Sequence, residues 1–538
     1  MTAPARFVLV LHGHIPDVLG HGVWPHGENW LYEAAAESYL PFLDAAERLV
    51  SRGAPFKATV GLTPVLCEQL EDERFAEGFV RYLSQRAEAA AEDGEAFRAS
   101  GEEGSERTAL FWQAHYSRLL LDFDRRGRRI VPHVAALAGT GAIEPVASAA
   151  THGFLPLLPN DRALLRQLEV GLAAHGRHFG RPSSGFWLPE CAYRPGGTWD
   201  PPAGGPPVFR EGLEEFLAPL GIGYFFVETH LVRGGAHEPA YGGEVEREAG
   251  GSTPHRLHAV RTRDGRELAV FARDPVSSHQ VWSGKVGYPG DGRYLEFHKR
   301  RAPSGHRYWR VTDNRLGLGE KLPWEPREAL EALESHADHF VGLLEGIPPL
   351  PGGEPPTVVA MFDLELFGHW WFEGMEFLER VFAKLAENPR VVPMTASEVL
   401  AASGPGPVLA LPAGTWGRGG DDRVWRNEGT LPYWRAVCAI EETMERLEAR
   451  RGTIAPPLFA ALERQTLLLH SSDWPFLIDN EVSKDYAYSR IEGHAADFAK
   501  LALLAEAGRA SGPGFPEIEE RDRLFGPELL GPEFTRWR

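Results

Sequence analysis

The 538-residue sequence predicts an α/β fold, a distorted barrel of strand–helix units with a helical insert and a helical C-terminal region. Two observations predict it. Seven short runs are mainly apolar, on both faces, which marks strands covered on both sides. Each run leads into a polar or aromatic cluster, and (β/α) barrels build their active sites at the C-terminal ends of the strands. Seven strands are one short of the common eight, so the barrel is incomplete or distorted. An open doubly wound sheet fits the same runs.

In chain order the runs are Phe7–Leu11, leading to His12-Gly13-His14-Ile15-Pro16; Ala58–Leu62, to Thr63-Pro64; Ile143–Ala147, to Thr151-His152-Gly153; Gly185–Leu188, to Pro189-Glu190; Tyr224–Val227, to Glu228-Thr229-His230; Leu268–Ala272, to Arg273-Asp274; and Val358–Phe362, to Asp363-Leu364-Glu365. Asp264-Gly265 reads as a hairpin turn into the sixth. Between runs, Leu31, Ala35, Tyr39, Leu43 and Ala46 recur at helical spacing, and Pro326 opens a second amphipathic helix through Leu344. Residues 66–128 read as a helical insert broken at Gly101–Glu106. A Gly/Pro-rich linker (Gly404-Pro405-Gly406-Pro407) precedes helices near 431–447, 457–470 and 486–507. The expected organisation is therefore a barrel from 1–65 and 129–400, an insert at 66–128, a helical domain at 401–510 and a tail at 511–538 with few packing signals. Two Gly-rich loops, 194–209 and 231–245 around Tyr241, are candidate lids.

The net charge of −19, from 75 acidic and 56 basic side chains, would repel a phosphate backbone, so no nucleic-acid partner is expected. A neutral polymer such as a polysaccharide would not be repelled. Three scattered cysteines form neither a disulfide framework nor a metal motif, and Cys191, beside Glu190, reads as an apolar filler. The N-terminal apolar run is too short for a signal peptide or a membrane span, so a cytoplasmic protein with no membrane partner is expected.

Glu190 and Asp363 end two strands that a closed barrel can bring face to face, the pair of carboxyl groups that glycosidic-bond cleavage requires. Glu365, two residues on, competes with Asp363, and spacing does not rank them. His12 and His14, with His152, His230 and His369, could instead hold a metal or hydrogen-bond sugar hydroxyls; no HExxH or Cys/His cluster supports the metal, so none is assigned. Trp282, Trp370, Trp371, Trp416, Trp425 and Trp474 lie in Gly- or charge-rich segments; singly each reads more often as core than as a stacking platform for sugar rings, while as a group beside the polar strand ends they favour a glycan cleft.

The run His12–Pro16, Thr151-His152-Gly153, Phe186–Glu190, Phe362–Trp370 and Ser472-Asp473-Trp474, in this order, resembles glycoside hydrolase family 57, and within it the 1,4-α-glucan branching enzymes. The resemblance spans the chain to about residue 508. It implies a (β/α)7 barrel, a retaining mechanism without cofactor or metal, an α-glucan substrate and, as the alternative activity, α-amylase or 4-α-glucanotransferase chemistry. It implies Glu190 as nucleophile and Asp363, not Glu365, as acid/base. It further implies glucan contacts at Arg273, Trp282, Gly290, Trp416 and Asp473, a loop tyrosine at Tyr241, and His12, His14 and His152 along the substrate subsite. A monomer or weak homo-oligomer is expected. The chain departs from the family pattern at Gly13, in the tail, and at Val482, where a glutamine is frequent.

Overall fold

The computed structural model describes residues 4–233 and 252–530. Six of the seven runs form strands within one or two residues of their expected bounds: Ala5–Gly13, Ala58–Leu62, Gly185–Trp187, Tyr224–Val227, Glu267–Ala272 and Thr357–Asp363. The expected third strand is instead two pieces, Ile143–Pro145 and Ala147–Ser148. Pro145 has no N–H to continue the ladder, so the chain changes partners there. The first piece completes a parallel sheet ordered Thr357–Asp363, Ala5–Gly13, Ala58–Leu62, Ile143–Pro145. The second piece starts another, running through Gly185–Trp187, Tyr224–Val227 and Glu267–Ala272 to His258–Arg261. The last is antiparallel and joined through the predicted Asp264-Gly265 hairpin.

The two sheets meet again where Asp274 N–H donates to the Val359 carbonyl at 2.8 Å. The result is a distorted (β/α)7 barrel, not an open sheet. Its inner face is filled by Val8, Val10, Trp187, Phe226, Phe271, Val359 and Met361, which share one apolar core with Trp416 and Trp425 from the segment before the C-terminal helices and with Trp434 and Trp474 from those helices. The helical region thus packs onto the barrel core itself.

The first long helix is not regular. Glu28–Ala34 and Leu40–Ser51 are α-helical, but Ala35–Tyr39 between them forms a π-turn with all five residues buried. The extra residue in that turn swings Glu37, Ser38 and Tyr39 inward, a feature frequent beside functional sites. In the insert, Glu73–Ser100 and Glu103–Arg125 form a helical hairpin; the break is shorter than expected, because Gly101 alone takes the left-handed conformation (φ 75°). The C-terminal helices are Leu431–Glu448, Pro456–Leu469, Asp473–Asn480 and Lys484–Glu506.

Two expectations are corrected. The Gly/Pro-rich segment before these helices is a strap laid along the barrel: Val408 bridges Ala259, and Gly414 pairs with Tyr193. The tail is anchored, with Leu524, Phe525, Leu529 and Leu530 buried against Val65, Ala150 and Leu467. Its apolar residues come as isolated pairs between prolines and charges, so no helical or strand period announced them.

Candidate active site

At the barrel mouth the backbone itself is bent to aim side chains. His152, Glu190 and Cys191 have φ of 56°, 62° and 48°. Such left-handed non-glycine residues cost about 1–3 kcal/mol each and persist only where surroundings enforce them. Here the Trp416 N–H donates to the Glu190 carbonyl at 3.1 Å, and Gly414 and Tyr193 exchange backbone hydrogen bonds. Burial of the Trp416 indole is worth about 4–6 kcal/mol before ordering costs, which exceeds the strain at Glu190.

The Glu190 carboxyl is buried and accepts two hydrogen bonds: Ser472 Oγ donates to Oε1 at 2.8 Å and Trp416 Nε1 to Oε2 at 2.7 Å. Burial pushes its pKa up to about 7; Ser472 and Trp416 oppose the shift, and the Asp473 and Asp363 charges add to it. Asp363 ends the seventh strand in register with His12. Glu365 turns away into the π-turn, where its Oε1 accepts from Tyr39 Oη and from the His14 N–H at 2.9 Å. Burial and the Asp363 charge raise its pKa to about 8.

The histidines gather between the carboxyl groups. His12 Nε2 lies 3.0 Å from His152 Nε2, and His152 Nδ1 lies 2.9 Å from Ser472 Oγ. His12 also stacks on Trp187, with ring centres 4.5 Å apart. Burial holds both imidazoles well below their usual range, hence neutral. His14 differs: burial opposes its charge, but Asp473 at 2.8 Å outweighs it and raises the pKa. Burial likewise opposes the Asp473 charge, yet His14 holds that carboxyl down at about 2. Gly13 between the two histidines has a steric reason, because a β-carbon there would stand 2.7 Å from Leu62 Cδ2.

Candidate ligand atoms of His14, His152 and Asp473 fall within 4.8 Å of one another. Each imidazole nitrogen in this group already has a hydrogen-bond partner, His14 Nδ1 being 3.0 Å from Thr63 Oγ1. We therefore read the group as a hydrogen-bond cluster. His230 and His369 do not join it: His230 Nε2 donates to the Gly420 carbonyl and His369 Nδ1 to Glu37.

Arg273 is buried with its Nε 3.1 Å from Glu228 Oε2 and its guanidinium 5.3 Å from the Trp416 ring centre. Trp282 packs against Trp370 across the loops that follow the sixth and seventh strands, with ring centres 5.8 Å apart. Gly290 closes the Tyr288–Gly290 turn, and the space where its β-carbon would stand is open. The tryptophans divide: Trp371, Trp416, Trp425 and Trp474 are buried in the core, the more frequent place for each taken singly, while Trp282 is half-buried and Trp370 is 39% exposed. Trp416, Trp425 and Trp474 share a core with the C-terminal helices, whereas Trp371 packs among Tyr288, Tyr294, Phe367 and Phe377. Tyr241 lies outside the described residues. Val482 is 79% exposed. Burial pushes the Cys191 thiol well up, which leaves it an inert filler.

Sequence reasoning gave no role to Ser472, Tyr39 or Glu228. Ser472 adjoins Asp473 in a motif already singled out, whereas Tyr39 read simply as one more position on an apolar helix face.

Residues 8–412 match glycosyl hydrolase family 57, and residues 435–529 match the C-terminal domain of 1,4-alpha-glucan branching enzymes. The chain belongs to glycosyl hydrolase family 57. A family relative, the 1,4-alpha-glucan branching enzyme of Thermococcus kodakarensis, is 40% identical over 534 residues, 97% of this chain and 78% of that protein. The crystal structure of the branching enzyme from that archaeon, in complex with glucose and additives, superposes with a TM-score of 0.90 at 38% identity, covering 98% of this chain and 96% of that one. The family α-amylase AmyC of Thermotoga maritima superposes with a TM-score of 0.78 at 28% identity, covering 98% and 99%.

Proposed function

We propose that this protein is a retaining α-glucan transglycosylase that cleaves α-1,4 bonds and transfers the released chain to a 6-hydroxyl, building α-1,6 branches. The observation that carries this reading is the setting of Glu190, a buried carboxyl at a strand end with a hydrogen-bond donor on each oxygen and the charge of Asp363 felt across the mouth. The whole-length likeness to branching enzymes, C-terminal domain included, supports the choice of acceptor.

Glu190 attacks the anomeric carbon as Asp363 protonates the departing glycosidic oxygen, leaving a glycosyl–enzyme ester. Asp363, now a carboxylate, removes the proton from the incoming 6-hydroxyl, whose oxygen displaces Glu190 and forms the branch. His12, His14, His152, Arg273 and Asp473 line the substrate subsite of this cleft, and Trp282, Gly290 and Trp416 shape its walls. No metal or cofactor takes part. The barrel supplies both carboxyl groups, and the helical domain that follows residue 401 completes the cleft.

Among the described residues no helix is long and apolar enough to cross a membrane. We infer a cytoplasmic monomer or weak homo-oligomer, without nucleic-acid partner, acting in synthesis of a glycogen-like glucan.

The likeness to AmyC favours one alternative, hydrolysis or α-1,4 transfer by the same carboxyl groups. Water exclusion and acceptor position separate these outcomes. Incubation with amylose, followed by proton NMR, distinguishes them: α-1,6 signals should outnumber new reducing ends, and the reverse ratio would make the protein an amylase. The 231–245 loop is our candidate gate. Tyr241→Ala should lower branching more than total cleavage; equal loss of both would remove the gate.

A further inference from the structure

The contacts around Glu190 form a chain with two distinguishable ends. His12, His152 and Ser472 follow one another at 3.0 and 2.9 Å, and Ser472 reaches Glu190 at 2.8 Å. Each neutral imidazole carries one N–H and the serine one O–H, so the chain has only two consistent polarities. In one, His12 Nε2–H donates to His152 Nε2, His152 Nδ1–H to Ser472, and Ser472 to an ionised Glu190. In the other, a protonated Glu190 donates to Ser472, and every bond reverses.

The far end decides between them. Among the described residues His12 Nδ1 is buried without a hydrogen-bond partner. It faces the Gly61 backbone, where a β-carbon would lie only 3.5 Å away. The first polarity leaves a bare lone pair there, whereas the second leaves a buried N–H with nothing to bond. Orphaned buried donors are the rarer and costlier defect. Trp416 Nε1–H, a donor in either case, adds the same preference on the other carboxyl oxygen.

We infer that His12, His152 and Ser472 form a one-way hydrogen-bond relay that keeps Glu190 ionised and aimed, with Ser472 as the positioning residue. Ser472 immediately precedes the Asp473–Asn480 helix, so this setting of the nucleophile requires the C-terminal helices to be docked on the barrel. The inference rests on the reading of Glu190 as nucleophile. The other ionisable groups acting on this neighbourhood are His14, Asp363, Glu365 and Asp473, with Arg273 and Glu228 behind Cys191. Their positions are the same in both polarities.

Two experiments on the full chain test the relay. In protein labelled with ¹⁵N-histidine, with His12→Asn and His152→Asn variants to assign signals, two-bond proton–nitrogen spectra at pH 8 should show His12 as the Nε2–H tautomer and His152 as the Nδ1–H tautomer. Opposite tautomers, or a charged imidazole at either position, would overturn the relay. In amylose cleavage, Ser472→Ala should move the acidic limb of the kcat profile up by about one pH unit, with kcat near pH 6 falling about tenfold and KM little changed. Ser472→Thr, which keeps the hydroxyl, should restore the profile. An alanine variant that melts like the parent but keeps the parental acid limb sinks the idea. Failure of the nucleophile reading shows itself separately, as retained cleavage in Glu190→Gln with the tautomers unchanged.

Discussion

Glu190 and Glu365 are buried carboxyl groups in one mouth, both raised by burial, to about 7 and about 8. What differs is where their donors come from. Glu190 receives one donor on each oxygen, and both arrive from outside the strands, from the strap that carries Trp416 and from Ser472 at the C-terminal helix. Glu365 receives Tyr39 and the His14 N–H on the same oxygen, from elements of the barrel itself, which leaves Oε2 to hold a proton. Two donors spread over both oxygens favour the charge; two on one oxygen with the Asp363 charge beside them favour the acid. Spacing of carboxylates along strand ends therefore does not assign their roles, because the decisive donors are remote in sequence.

Glu190→Gln should lower amylose cleavage and branching about 10⁴-fold or more, and Asp363→Asn about 10³-fold, measured by reducing ends and α-1,6 signals. Glu365→Gln should cost less than about tenfold at pH 7, since glutamine resembles a carboxyl group that already carries its proton below about pH 8. The deficit should widen above pH 8, where the parent glutamate ionises and glutamine cannot. A loss matching that of Asp363→Asn would exchange the roles of the two residues.

The smallest effect on chemistry should come from the anchored tail. Asp522 is buried with His21 at 2.7 Å and accepts from Gln465 at 2.6 Å, and Arg521 pairs with it. Asp522→Ala removes a buried carboxylate from its charged and polar partners, and denaturant unfolding should show a loss of about 3 kcal/mol. Cleavage per folded molecule should stay at the parental level; a large loss would extend the active site into the tail.

The local signals in the sequence determined most of the barrel. Runs that are apolar on both faces are best satisfied by strands covered on both sides, so Ala58–Leu62 and Tyr224–Val227 appear at their expected bounds. The clusters ending those runs likewise marked Glu190, Asp363, His12 and His152, because strand ends and side-chain chemistry are both local. Tertiary structure alone decided the rest. Closure rests on contacts such as the Asp274-to-Val359 bond, and the shared third strand on an exchange of partners at Pro145. The tail is held by scattered apolar pairs that meet a surface assembled from four other segments. Above all, Ser472 stands 282 residues from Glu190. Composition and period register what a residue is and how often it recurs, while a carboxyl group's proton depends on which donors face it after folding.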